Sequence, residues 1–259
     1  MRSSAFVFLA LSLAARSPLA AQDFRWHAPL ASGKTLEVRG INGTIHATRA
    51  SGDEAKVTAS KLARRGDPSV VEIKVIEHSN GVTICALYPS RRAARQQSCE
   101  EGSNFQGEME ENDTEVEFEV RVPAGVRFVG ANVNGDIEGE ELPGDAILTT
   151  VNGGIEVTGA GTAMASTVNG SIKARMGRAD WTGTLRLTTV NGGIKVALPA
   201  QAAFTVEAST VNGSVESDFP ITVQGKMRPN SLRGTVGDGG RGLDLTTVNG
   251  SIEIVKGSS

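Results

Sequence analysis

The sequence predicts an all-β protein, best read as a β-solenoid with coils of about 17–22 residues and one disulfide-stapled excursion. Three observations carry that prediction. The nine residues TTVNGGIEV at Thr149–Val157 return as TTVNGGIKV at Thr188–Val196 and as TTVNGSIEI at Thr246–Ile254. Val, Ile and Thr crowd around each Asn-Gly, as strand-forming residues do. Glycine is abundant, 31 of 259 residues, which suits many tight turns and opposes a helical protein.

In chain order, the first residues read MRSSAFVFLALSLAARSPLAAQ, with one early Arg2, an apolar run over Ala5–Ala15 and small residues at Ala20 and Ala21. This is the layout of a signal peptide over residues 1–21, and the run is too short for a bilayer core needing about 20 residues. No transmembrane anchor is expected in the mature chain, which should be periplasmic or extracellular. Residues 22–259 then read as one β-solenoid domain, irregular over 22–115 and regular over 116–256.

Short strand patterns cover Lys34–Arg39 and Ala55–Ser60. The run VVEIKVIEHSNGVTICAL, Val70–Leu87, reads as a hairpin turning at Asn80–Gly81. Pro89–Met109 is polar and free of strand pattern, and RRAARQQS within it could form a short helix. EVEFEVRVP then alternates cleanly, with Val116, Phe118, Val120 and Val122 on one face.

The unit Thr-Val-Asn-Gly-Gly/Ser-Ile-x-Val places its Asn at 134, 152, 169, 191, 212 and 249, with a further copy, GINGTIHA, at Asn42. The spacings from 134 are 18, 17, 22, 21 and 37, and the last resembles a double step. SLRGTV at Ser231–Val236 fills it as a degenerate copy, with Arg233 in the Asn place. Two architectures fit: a hairpin meander closed at each Asn-Gly, or a solenoid with Asn-Gly at a corner of each coil. The solenoid is favoured because in-register stacking explains why Asn itself recurs, amide above amide. Asn-Gly supplies the positive φ angles that either reversal requires. Asn42, Asn134, Asn152, Asn169, Asn191, Asn212 and Asn249 are therefore read as structural corners, not as a ligand row.

TVNGDI-like repeats preceded by VPAGVRF (Val122–Phe128) in an exported chain resemble the bacterial putative-adhesin β-strand-repeat family of unknown function, similar to head-GIN adhesin domains. The resemblance is strongest over Val116–Ile254. It implies a right-handed, single-stranded β-helix displayed in the cell envelope, and it brings no catalytic residues.

Chemistry elsewhere is sparse. Cys85 and Cys99 read as a disulfide, since an exported pair is readily oxidised and CxxC spacing is absent. A net charge of −3 lacks the basic face that nucleic acid requires, and an aromatic content of 4% disfavours stacking platforms for bases or sugars. GDGGRGLDL at Gly237–Leu245 is one imperfect calcium nonapeptide, where tandem copies are needed. The acidic stretch Glu100–Glu119, faced by Arg91, Arg92 and Arg95, reads as a solvated surface with a cation-binding surface as its alternative. Asp136, Glu138, Glu140 and Glu141 could serve a polysaccharide-active enzyme on a β-helix, but show no paired spacing. His27, His46 and His78 fall in separate elements. The reading is a non-catalytic structural or interaction module, without cofactor or metal, whose partner is an envelope or extracellular protein or glycan.

Overall fold

A computed structural model describes residues 24–89, 98–100, 113–159, 161–223 and 228–257. The leader at 1–21, most of RRAARQQS and most of the acidic stretch lie outside them. The chain is all-β, with a single 3-10 turn at Pro68–Val70 among the described residues. In the first half run β1 (Phe24–Pro29), β2 (Thr35–Arg39), β3 (Ile45–Arg49), β4 (Glu54–Leu62), β5 (Glu72–His78), β6 (Gly81–Leu87) and β7 (Glu115–Val122). The repeats begin with β8 (Arg127–Ala131), β9 (Ile137–Leu142), β10 (Ala146–Thr149), β11 (Ile155–Gly159), β12 (Ala163–Ser166) and β13 (Ile172–Met176). They continue through β14 (Thr184–Thr188), β15 (Ile194–Pro199), β16 (Phe204–Ser209), β17 (Val215–Ser217) and β18 (Thr222–Val223). The last three strands are β19 (Ser231–Val236), β20 (Gly242–Thr246) and β21 (Ile252–Gly257).

Two sheets result. One runs β1-β4-β7-β3-β9-β11-β13-β15-β21-β17, the other β18-β19-β16-β20-β14-β12-β10-β8-β2-β6-β5. Each repeat gives one strand to each sheet, and its Asn-Gly carries the chain across from one to the other. The repeats thus turn at corners, and Asn80–Gly81 alone works as the expected hairpin, between antiparallel β5 and β6. Neighbouring coils pair in parallel and in register, so Ile137, Ile155, Ile172, Ile194 and Ile252 stand one above another, all at most 1% exposed. Alternation does the rest: β7 buries Val116, Phe118, Val120 and Val122 and exposes the residues between them.

Stacking order departs from chain order at both ends. The coil β2–β3 lies between β6–β7 and β8–β9, and the coil β20–β21 lies between β14–β15 and β16–β17. TTVNGGIKV and TTVNGSIEI, 58 residues apart, are therefore direct neighbours, with Ile194 opposite Ile252. This corrects the expectation of a double step after Asn212. SLRGTV is not a degenerate coil; it is β19, which pairs antiparallel with β16 and places Arg233 opposite Glu207. No apolar alternation or Asn was lost there, because the segment was never a corner.

The ends of the stack are closed by these irregular parts. Antiparallel β4 and β1 cover β7, β5 covers β6, and β19 with the two-residue β18 covers β16. β17 at the remaining edge is three residues long. The short edges β17 and β18 offer little template for pairing with another chain. β21 pairs with β15 along Ile252–Gly257 but with β17 only along Ile252–Ile254, and beyond that point the Lys256 Nζ sits 5.6 Å from the Phe219 ring centroid.

Candidate functional site

The repeated corner is built from four positions with distinct duties. The Thr hydroxyl is buried and donates to a Gly carbonyl of the adjoining coil: Thr150 to Gly135, Thr167 to Gly153, Thr189 to Gly170, Thr247 to Gly192 and Thr210 to Gly250, at 2.8–3.0 Å. Two coils lack the Thr: the Asn42 coil has Gly40 there, and in the Asn134 coil Asn132 Nδ2 donates to Gly43 O instead, at 2.6 Å. The Asn amides form one continuous row in which each Nδ2 donates to the Oδ1 of the coil before it: 134 to 42, 152 to 134, 169 to 152, 191 to 169, 249 to 191 and 212 to 249. All these dipoles point the same way along the stack, so the bonds polarise one another.

The positive φ expected of Asn-Gly falls on the glycine, at Gly43, Gly135, Gly192 and Gly250. Glu141 is the only non-glycine with positive φ among the described residues, so no Asn of the row adopts that conformation. The glycine is also required by space, including at Gly153, Gly170 and Gly213, where no positive φ is found. A Cβ on Gly135, Gly153, Gly170, Gly192, Gly213 or Gly250 would lie 1.9–2.2 Å from a glycine carbonyl oxygen of the neighbouring coil. The fourth position, Val, is unspent: Val151, Val168, Val190, Val248 and Val211 are 36–65% exposed. The sequence reading gave these valines no role, and their exposure could not be told from strand propensity.

The remaining candidates are scattered. Cys85 and Cys99 form the disulfide, linking β6 to the described end of the excursion. Asp136 is structural, accepting from the Gly154 N–H at 2.7 Å. Glu138 and Glu140 point outward beside His46, whose Nδ1 lies 3.2 Å from Glu138 Oε2. The row then runs through Glu156, Lys173, Lys195 and Glu253, with ion pairs Lys173–Glu156 at 3.9 Å and Lys195–Glu253 at 2.8 Å. His27 sits against Glu54 and His78 against Thr83, far from His46 in the fold. Among the described residues no group of three or more His, Cys, Asp or Glu is placed to hold a metal ion. Arg233 lies 3.5 Å from Glu207 on an exposed strand.

A recess lies where β9 bulges. Val157 faces Gly139 but Gly159 faces Leu142, so β9 carries one residue more than β11 and Glu141 takes φ 49°. Such a bulge bends the strand and re-aims its side chains. Here it opens a cleft of about 600 Å³ lined by Arg49, Glu141, Pro143, Thr158, Arg175 and Arg178, floored by Leu142 and glycines. The Glu141 N–H donates to Thr158 Oγ1 at 2.8 Å, holding the bulge. No sequence signal gathered Arg49 and Arg175, which only the coil register brings to one cleft.

Residues 132–255 match the family described as Toastrack DUF4097. Among solved structures the chain is similar to a putative cell adhesion protein from Clostridium sporogenes, at 12% identity and TM-score 0.52, covering 91% of this chain and 100% of that one. A putative adhesin from Bacteroides fragilis is more distant, at 10% identity and TM-score 0.30, covering 91% and 97%. The first likeness is one of fold. No curated protein matches this chain.

Proposed function

We propose, from the match of residues 132–255 to the Toastrack DUF4097 family, that this chain is an exported, non-catalytic, adhesin-like β-repeat module. It would act in the cell envelope as a right-handed, single-stranded β-solenoid of residues 22–259, freed of a signal peptide at 1–21. One observation carries the reading. The Thr hydroxyls, where present, and the Asn amides of the corners are committed to coil-to-coil bonds, with glycine packed against the next coil, and what remains is a stiff body with regular outer faces. A disulfide and the naming of the Clostridium neighbour as a cell adhesion protein support export and surface contact.

The mechanism is geometric. Rungs about 4.8 Å apart present side chains at fixed intervals, and an extended or repetitive partner meets them without an ordering cost on the protein side. The test is co-sedimentation of the purified mature chain with cell envelopes and with polysaccharide and protein fractions made from them. Retention is expected. A chain that stays in the supernatant with every fraction removes the interaction reading. Release of reducing sugar that disappears in Glu138→Ala and Glu140→Ala would instead establish the enzyme alternative.

A further inference from the structure

We propose that the cleft beside the β9 bulge is a binding site for an anionic glycan, a sugar chain bearing carboxylate, sulfate or phosphate groups. This rests on the interaction-module reading and gives that module a ligand class. The cleft carries three guanidiniums and one carboxylate. Arg178 is already engaged by Asp180, through Nε at 3.0 Å and a second contact from Nη2. Arg49 and Arg175 are exposed, and neither guanidinium has an ion-pair or hydrogen-bond partner among the described residues. Elsewhere on these faces pairing is common: Arg121 donates to Thr48, Arg127 faces Asp145, Arg186 faces Asp244. Two unpartnered arginines against the single carboxylate of Glu141 therefore leave this recess net positive and open to an external oxyanion. Guanidinium forks favour oxyanions, which they bind in bidentate fashion.

The geometry selects an extended ligand. β3, which carries Arg49, is separated from β13, which carries Arg175, by β9 and β11. At about 4.8 Å per rung the two backbone positions are roughly 14 Å apart. A volume of about 600 Å³ exceeds what a lone inorganic anion fills and is within the range of organic ligand sites. Glu141 and Thr158 between the arginines offer acceptors for hydroxyl groups, which a sugar supplies. The lining has no aromatic ring, so a neutral sugar would find no stacking surface and charge must carry the recognition. An acidic peptide is the poorer occupant. All four strands under the cleft are paired on both sides, so no open edge is left for strand addition.

The test uses the mature chain, residues 22–259, and fluorescently labelled oligosaccharides followed by anisotropy. Oligogalacturonate, a heparin fragment, neutral dextran and phosphatidylglycerol vesicles serve as probes. The proposal expects one or both anionic glycans to bind, dextran not to bind, and binding to weaken with salt. Arg49→Ala and Arg175→Ala should each weaken binding by roughly tenfold. Arg127→Ala, on the other sheet, should leave it unchanged. Thermal melts of each variant report folding separately, and both arginines are exposed, so loss of fold would not be confused with loss of binding. Equal binding of dextran, or binding untouched by both arginine variants, overturns the site. Binding to vesicles but not to soluble glycans overturns the ligand class. If no probe binds while envelope retention persists, the cleft assignment fails and the module reading stands.

Discussion

Replacing Thr167 by Val tests whether the corner hydroxyls hold the coils together. The two side chains are nearly isosteric, so the packing around a residue only 2% exposed is kept and strand propensity does not suffer. What is lost is one hydroxyl, which donates to Gly153 O at 2.9 Å. A buried hydrogen bond contributes about 1 kcal/mol net, and a carbonyl left without a donor costs about 1–3 kcal/mol. Taking about 2 kcal/mol, and about 2–4 °C per kcal/mol for a chain of this size, Tm should fall by roughly 4–8 °C. The assay is urea and thermal unfolding followed by far-UV circular dichroism, with the m-value expected to stay constant. Val168→Thr is the companion: it is the next residue, 40% exposed, and should change stability by less than about 0.5 kcal/mol. A Thr167→Val protein as stable as its parent, or equal losses in both variants, would refute the argument that hydroxyl-to-carbonyl bonds clamp adjacent coils.

Three other expectations can be checked with the same material. Gly170→Ala would set a Cβ 1.9 Å from Gly153 O, backbone against backbone, so it should cost more than Thr167→Val, at least about 3 kcal/mol, read as a lower Tm or insoluble expression. Cys85→Ser with Cys99→Ser opens a loop with a sequence separation of 14 and should lower stability by about 3 kcal/mol in urea unfolding. Tyr88, the single tyrosine, is held above the ordinary phenol range, chiefly by burial, and its hydroxyl donates to Thr114 O at 2.9 Å. The folded protein then holds its phenol proton where the unfolded chain releases it, so this contribution is complete below about pH 10 and is lost as pH rises further. A spectrophotometric titration should show phenolate appearing together with unfolding; phenolate formed in the folded protein near pH 10 would contradict it.

What could be read from the sequence follows from what periodicity encodes. Alternation in EVEFEVRV and the recurring Ile after Asn-Gly report which side chains face inward, and each is buried where its phase puts it. The hairpin at Asn80–Gly81 was legible because turn and flanking strands are contiguous. Stacking order was not. A spacing of 37 between Asn212 and Asn249 suggested a missing copy, whereas the intervening residues fold back antiparallel and the later coil sits one place earlier. Local pattern says that a segment is a strand; it does not say which neighbour the strand will have. The positive φ expected of Asn-Gly is met by the glycine at four corners, whereas the second demand on it, from a carbonyl of another coil, is non-local and left no trace in the sequence. The cleft was invisible for the same cause: Arg49 and Arg175 carry no motif and meet only through register.

The displaced coil has a consequence for how the molecule is assembled. β17 pairs only with β21, and β16 meets its parallel partner in β20. Until residues 242–257 are available, the coil at 204–217 has no seat on the growing stack, so the closing segment serves as a keystone. Such a protein cannot be lengthened by adding copies after its final repeat, because that repeat is already enclosed. New coils would have to enter through the middle of the gene, and a chain cut short before residue 242 would leave two surfaces unjoined where an ordinary repeat array would merely be one coil shorter.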